Sequence, residues 1–292
     1  MNTPSVTSDR LSTKQAVIAA ILAYVSLIVS QLAAVLVSNA IVQMGASSII
    51  GSAVSGILYL VFGLFCVSLI CKKCFHSTME SLRITRFSLK PIWGISALIL
   101  PCMVVFVYFM MPGHLNSALA GREDFLYTLV DAVVFFGLAA GIMEEVVFRG
   151  LIMSALERRW NKYVAIIVPS VIFALSHVIG ADLDLLSIIQ LLAAGTMVGV
   201  MFSFVTYESG SIWNSAVMHI IWNIVMVGGI LHIGAAEDKY SLFNYILDSR
   251  TFVITGGDFG IEASGIAIIG YTIFTVLAII LTKRKKRKTV MS

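Results

Sequence analysis

Residues 16–36 read AVIAAILAYVSLIVSQLAAVL, 21 consecutive positions without a charged side chain. At 1.5 Å of rise per residue, a helix of roughly 20 mostly apolar residues crosses the ~30 Å of bilayer hydrocarbon. Seven further runs of this kind follow, at 49–70, 92–111, 126–147, 164–180, 185–205, 212–229 and 266–281. Their length points to helices, because a barrel strand alternates over only ~10 residues. A helix also satisfies its own backbone hydrogen bonds where no water is present. The expected fold is all-α, a polytopic membrane bundle of about eight transmembrane helices forming one integral-membrane domain over 1–292.

Composition agrees with this reading. Of 292 residues, 59% are hydrophobic and 12% charged, about half the charged share of soluble domains, and the mean hydropathy is +0.95. Twenty Lys and Arg with 16 Asp and Glu cannot clothe a water-soluble surface over so much apolar side chain. Five Pro exclude a collagen-like or Pro-rich disordered chain, and four scattered Cys exclude a disulfide-stapled one. Cys71-Lys-Lys-Cys74 has no second CxxC to complete a zinc ribbon, so reduced thiols or palmitoylation are expected there.

Lys and Arg set the orientation. Sixteen fall on the two tails and the second and fourth loops of one side, from Arg10 and Lys14 to Lys283–Lys288. The other side holds Arg122, Lys239 and Arg250, along with acidic residues such as Glu123, Asp182, Asp184, Asp258 and Glu262. Both termini are therefore expected in the cytoplasm of a multi-pass cell-membrane protein. The polar leader followed by a long first run predicts an uncleaved segment. The Lys- and Arg-rich tail reads as a membrane anchor on anionic headgroups, with no nucleic acid as partner. Residues 240–247 are expected to form an interfacial helix.

The bilayer rejects ionised side chains at ~2.5–3.5 kcal/mol each on insertion scales, so those that remain are informative. The fourth run carries Gly141-Ile-Met-Glu144-Glu145-Val-Val-Phe148-Arg149. Glu145 and Arg149 stand four apart and share a helical face, where they neutralise one another and leave Glu144 unpaired. Gly137 and Gly141 would let another helix approach closely. The fifth run carries Phe173-Ala-Leu-Ser-His177 and the seventh His219-Ile-Ile-Trp-Asn223. In an antiparallel hairpin turning near Arg158–Lys162, Glu144 and His177 both lie ~25 Å from the turn. His219 and Asn223 lie ~14–20 Å from the turn at Glu208–Ser211. The four groups can thus converge within several ångströms.

A carboxylate, two imidazoles and a carboxamide suit hydrolysis of an acyl bond. Glu144 would act as general base on water, and His177 would share that water or protonate the leaving amine. His219 and Asn223 would donate to the developing oxyanion. Ser176 is expected about 100° away from His177, which argues against a covalent route. Two His and one carboxylate (Glu144, His177 and His219) also make a zinc set, so the cofactor is either none or a single Zn2+. Asp131 is expected to be interfacial, and Cys66 and Cys102 to be core residues.

Glu144-Glu145-x-x-x-Arg149, Phe173-x-x-x-His177 and His219-x-x-x-Asn223, in that order within 131–229, resemble the CPBP family of CAAX proteases and bacteriocin-processing or self-immunity proteins, also called Abi. The resemblance implies an intramembrane endopeptidase whose site opens towards the cytoplasm. It implies Glu144 as the activating base, His177 helping to hold the water, and His219 with Asn223 as the oxyanion site. Glu145, Arg149 and Phe173 are implied as supporting residues. The substrate implied is a membrane protein or peptide. Two other readings stand beside it. One is a non-proteolytic membrane partner that restrains a sensor kinase or confers bacteriocin immunity, for which the acidic loops and 230–264 would matter most. The other is a transporter relaying protons through Glu144 and Glu145, although no inverted repeat supports it.

The charge asymmetry makes a direct prediction. A fluorescent protein fused after Ser292 will fluoresce and a periplasmic-type phosphatase fused there will be inactive; the reverse pattern would show the opposite orientation.

Overall fold

A computed structural model describes residues 10–117 and 122–291. The leader ahead of Arg10, and the side chains of Arg122, Glu123 and Lys288 counted in the charge balance, lie outside the described residues. Eight long helices account for most of the rest: α1 (Thr13–Gln43), α2 (Ser48–Lys73), α3 (Pro91–Phe109), α4 (Asp124–Arg159), α5 (Lys162–Ser176), α6 (Leu185–Ser209), α7 (Trp213–Val227) and α8 (Gly265–Met291). Each coincides with one apolar run. Six are long and apolar enough to cross a membrane, whereas α5 and α7 are shorter apolar helices. The run at 164–180 overestimated α5, which stops at Ser176 because His177 takes up the capping position.

Local chemistry explains the helix starts. Ser12 and Gln15 form a reciprocal capping box at α1, Asn161 Oδ1 accepts from Tyr163 N and Val164 N at α5, and Asp184 Oδ1 accepts from Ser187 N (2.7 Å) at α6. Pro91 opens α3 at a position where its missing N–H is not needed. Gly210 ends α6 in the left-handed region (φ +81°).

The basic residues gather at one end of the bundle. There Arg159 Nε donates to Thr13 Oγ1 (2.8 Å), Arg83 pairs with Glu157, and Lys90 Nζ donates to Glu208 Oε1 (2.6 Å). Trp93 Nε1 and Trp213 Nε1 tie α3 and α7 into the same layer through Glu208 Oε2 and Thr85 O. The outer faces stay apolar, with Leu32, Leu36, Phe65, Leu98, Phe106 and Ile189 all exposed, as expected of side chains that meet lipid.

The opposite end corrects the all-α expectation. A three-stranded sheet of order β1-β3-β2 stands there: β1 (Gly113–Ser117), β2 (Leu231–Gly234) and β3 (Phe243–Leu247). β3 runs antiparallel to β1 and parallel to β2. The interfacial helix expected at 240–247 is thus a strand, because its backbone finds partners on both edges and Leu247 buries against the bundle. Asp131 opens the π-helical stretch Asp131–Ala140. It sits partly buried in the wall of a polar cleft between α1, α2 and α4, where Ser52 Oγ donates to it (2.6 Å). Cys102 is exposed, and only Cys71 among the four free cysteines is buried.

Buried side chains form two clusters. One joins α1, α2 and α4 and includes Tyr59, Met143 and Phe148; the other joins α3, α6, α7 and α8 and includes Trp93, Phe202 and Tyr271. Small residues close the seams. The expected role of Gly137 and Gly141 is met by α7: a Cβ on Gly141 would lie 3.0–3.2 Å from Ile220, backbone included, and one on Gly137 would lie 2.5 Å from Ile224 Cγ1. A second Gly-x-x-x-Gly, at Gly195 and Gly199, brings α6 onto α5. A Cβ on Gly199 would stand 2.7 Å from Ser170 Cβ and 2.8 Å from its Cα. Backbone cannot yield as a side chain does, so Gly199→Val should destabilise by about 1–3 kcal/mol or more. A thermal-unfolding midpoint unchanged from wild type would contradict this packing.

Candidate active site

Glu144 and Glu145 lie in the middle of α4, on one turn of α-helix (Gly141–Glu145) between two π-helical stretches, Asp131–Ala140 and Val146–Ile152. Wide turns of this kind are uncommon and concentrate at functional sites. Glu145 is fully buried and Arg149 is 1% exposed; Arg149 Nη1 donates to Glu145 Oε1 at 2.9 Å. Arg149 Nη2 donates to Gly199 O (3.2 Å) across on α6. Its guanidinium lies over the rings of Phe173 (4.9 Å), Phe202 (5.2 Å) and Phe148 (5.7 Å). A buried cation is tolerable here because it has a counter-charge, a carbonyl and three π faces.

His219, on α7, is bracketed by both carboxylates. Its Nδ1 stands 3.1 Å from Glu145 Oε1 and its Nε2 3.6 Å from Glu144 Oε2. The ring stacks on Phe202 (4.8 Å between centroids, 23° between planes). A carboxylate already paired with arginine can only accept, so Nδ1 carries the proton and donates to Glu145. Glu144 Oε2 is buried with no hydrogen-bond partner among the described residues. The side chain as a whole keeps 20% exposure, all the more telling beside the sealed Glu145.

His177 caps α5. Its Nδ1 is 2.8 Å from Phe173 O, and since a carbonyl only accepts, Nδ1–H donates and Nε2 keeps its lone pair. Ser176 does not point away as expected. Its Oγ lies 3.3 Å from His177 Nδ1 and donates to the same Phe173 carbonyl at 2.6 Å. The helix ends there, so the 100° spacing of a continuing helix no longer separates the two side chains. Asn223, at the start of the π-helical end of α7 (Asn223–Val227), donates from Nδ2 to Phe136 O at 2.9 Å. Its second N–H remains for another acceptor.

Glu144, His177, His219, Asn223 and Phe173 all line one cavity of about 420 Å³, together with Gln31, Phe202, Trp222, Phe259, Glu262 and Tyr271. Glu145 and Arg149 stand behind its wall. Most of the lining comes from the half of the bundle nearer the sheet, with Phe259 and Glu262 at that end, so the cavity extends away from the basic end. Glu144, His177 and His219, the residues expected to bind zinc if a metal is used, line this cavity together. Among the described residues no three His, Cys, Asp or Glu side chains are grouped to hold a metal ion. The Phe173 ring packs against both imidazoles, 4.7 Å from His177 and 5.9 Å from His219.

Sequence reading had not singled out Phe202, Phe259 or Glu262. The Gly195/Gly199 spacing was the available signal for α6. In the sequence Glu262 is one acid of an outer loop, outside any motif.

Removing the arginine tests the buried pair. Arg149→Ala leaves Glu145 ionised without its partner and should lower stability by about 3–5 kcal/mol. Adding Glu145→Ala should recover part of that loss, read as a non-additive double-mutant cycle in thermal unfolding. Additive losses would show that the two side chains are not coupled.

Residues 126–225 match the family model described as type II CAAX prenyl endopeptidase Rce1-like. No curated protein and no solved structure matches the chain. The matched segment contains every one of the four polar groups brought together in the cavity and the ion pair behind them; over it, the chain is similar to the CPBP/CAAX-protease family.

Proposed function

We propose that the protein is an intramembrane endopeptidase that cleaves a membrane-associated protein or peptide with a water activated by Glu144. The observation that carries this reading is the unpartnered Glu144 Oε2 at the cavity, 3.6 Å from His219 Nε2, inside the family-matched segment. A carboxylate oxygen with no protein donor is free to take a proton from water, the task of a general base. His177, whose Nε2 accepts, holds the same water from the α5 side. Attack on the scissile carbonyl puts negative charge on its oxygen, and the spare N–H of Asn223 meets that charge. His219 donates from Nε2 only once it carries a second proton, and Glu144 is the neighbour positioned to supply the one taken from water. The proton then passes to the leaving amine. Glu145 holds His219 in register and Arg149 holds Glu145.

We read the reaction as metal-free, since among the described residues no three His, Cys, Asp or Glu side chains are grouped to hold a metal ion. In lipid nanodiscs with a fluorogenic peptide library, Glu144→Gln should lower kcat by about 10²–10⁴-fold. Asn223→Ala should lower it by about 10²–10³-fold, the loss typical of one oxyanion donor. Equal rates in Glu144→Gln and wild type would end the peptidase reading. Incubation with a chelator, followed by metal analysis, should leave the rate within twofold and find no stoichiometric zinc. Loss of activity restored by added zinc would replace the metal-free mechanism with a metallopeptidase one.

A further inference from the structure

The cavity that holds Glu144 has a second carboxyl group. Glu262 belongs to the short turn Ile261–Ala263 immediately ahead of α8. The turn is pinned: Ala263 N donates to Gly260 O, Ser264 N to Ile261 O (both 3.0 Å), and Tyr271 Oη to the backbone carbonyl of Glu262 (3.1 Å). The side chain is partly buried and lines the cavity beside Phe259 and Tyr271. It makes no hydrogen bond or ion pair among the described residues.

The titratable groups around it are Tyr271 of α8, whose hydroxyl also feels Tyr108 of α3, and, on the other walls of the cavity, Glu144 of α4, His177 of α5 and His219 of α7. Among the described residues no Lys or Arg lines this space. Burial pushes the Glu262 carboxyl up to about 8. Glu144 Oε2 is likewise buried without a hydrogen-bond partner. The remaining walls are apolar or aromatic, among them Phe136, Leu191, Val198 and Trp222. Glu262, which has no fixed cation beside it among the described residues, complements a side chain with an alkyl stem and a positive tip in this cavity of about 420 Å³ with greasy walls.

We propose that this cavity includes a subsite for a lysine or arginine side chain of the peptide substrate, and that Glu262 is the residue that selects it. The proposal rests on the peptidase reading for the word substrate, but the recognition it describes can be measured without turnover. Binding a cation favours the Glu262 carboxylate. Below about pH 8 the free side chain holds a proton that must leave to solvent when the cation enters; above it no proton need be lost. Preference for a basic side chain therefore rises with pH and levels off above about 8.

The test uses the full chain in lipid nanodiscs and fluorescent peptides in which one position at a time is lysine or glutamine. Anisotropy gives the ratio of the two dissociation constants, which cancels effects on peptide affinity that do not depend on the charge of the substituted side chain. At one position lysine should bind at least fivefold tighter than glutamine at pH 8.5, and the ratio should shrink as pH falls to 6. In Glu262→Gln the ratio should drop below twofold. A ratio near one at every position, a ratio that does not change with pH, or one undiminished in Glu262→Gln overturns the subsite. A lysine preference that still shrinks with falling pH in Glu262→Gln belongs to His177 and His219 and overturns the assignment to Glu262; Glu262→Ala repeats the measurement if Glu262→Gln does not fold. Cleavage of the same peptides separates the two ideas. A Glu262-dependent lysine preference in binding with no cleavage keeps the subsite and removes the peptidase reading. Cleavage lost in Glu144→Gln but indifferent to lysine keeps the peptidase and removes the subsite.

Discussion

A charge inside a lipid-embedded bundle must bring its own counter-charge, and the pair of Glu145 with Arg149 meets that requirement at 2.9 Å with both side chains sealed from solvent. The rest of the site hangs from this contact. Arg149 reaches Gly199 O and so fastens α4 to α6, and three phenylalanine rings box its guanidinium. Glu145, neutralised on one side, spends its remaining capacity on His219 Nδ1. That hydrogen bond sets which nitrogen of His219 faces the cavity and thereby which atom confronts Glu144. The two adjacent glutamates consequently have opposite fates. One is consumed in holding the architecture, and its neighbour, one residue earlier and rotated by a helical step, is left with an oxygen that no group among the described residues satisfies.

Close helix approach is the second constraint, and it follows from small residues rather than from charge. In lipid there is little hydrophobic drive to bring helices together, so contact area and packing must do it. Gly141 lets the backbone of α7 at Ile220 come within van der Waals range of α4, directly beside Glu144 and His219. Gly199 does the same for α6 against Ser170 of α5, three residues before Phe173. Phe173 then touches Arg149, Phe148, His177 and His219 at once, so one ring relates the orientation of three polar groups from three helices.

Much of this was legible from residue spacing. The i,i+4 separation of Glu145 and Arg149 identifies their pairing, and the turn at Arg158–Lys162 places Glu144 and His177 at matching depth, on opposite walls of what proves to be one cavity. Apolar run length locates all eight helices. It does not locate the sheet, because Phe243–Leu247 is an apolar stretch of ambiguous period whose strand identity comes from β1, more than a hundred residues earlier. Nor does spacing within a helix survive its end: Ser176 and His177 share one carbonyl because α5 stops between them. Glu262 is invisible to motif reading for a related reason. It comes from a turn after the last polar motif, and only the fold returns that turn to the cavity.

The two histidines are not equivalent, and the difference bears on where the water sits. His177 gives its Nδ1 proton to a backbone carbonyl, a neutral acceptor that fixes the tautomer and adds no charge. His219 gives its Nδ1 proton to a carboxylate already shared with arginine, and its Nε2 looks at a second carboxylate 3.6 Å away, beyond direct hydrogen-bond length. An acceptor nitrogen facing an acceptor oxygen is unfavourable unless a proton or a water lies between them. A water lodged between Glu144 Oε2 and the two Nε2 atoms would donate to two of these acceptors while its oxygen stayed directed at the cavity, where a carbonyl carbon would arrive. The same geometry that leaves Glu144 Oε2 without a hydrogen-bond partner among the described residues leaves it at the cavity, where the proposed mechanism needs its water.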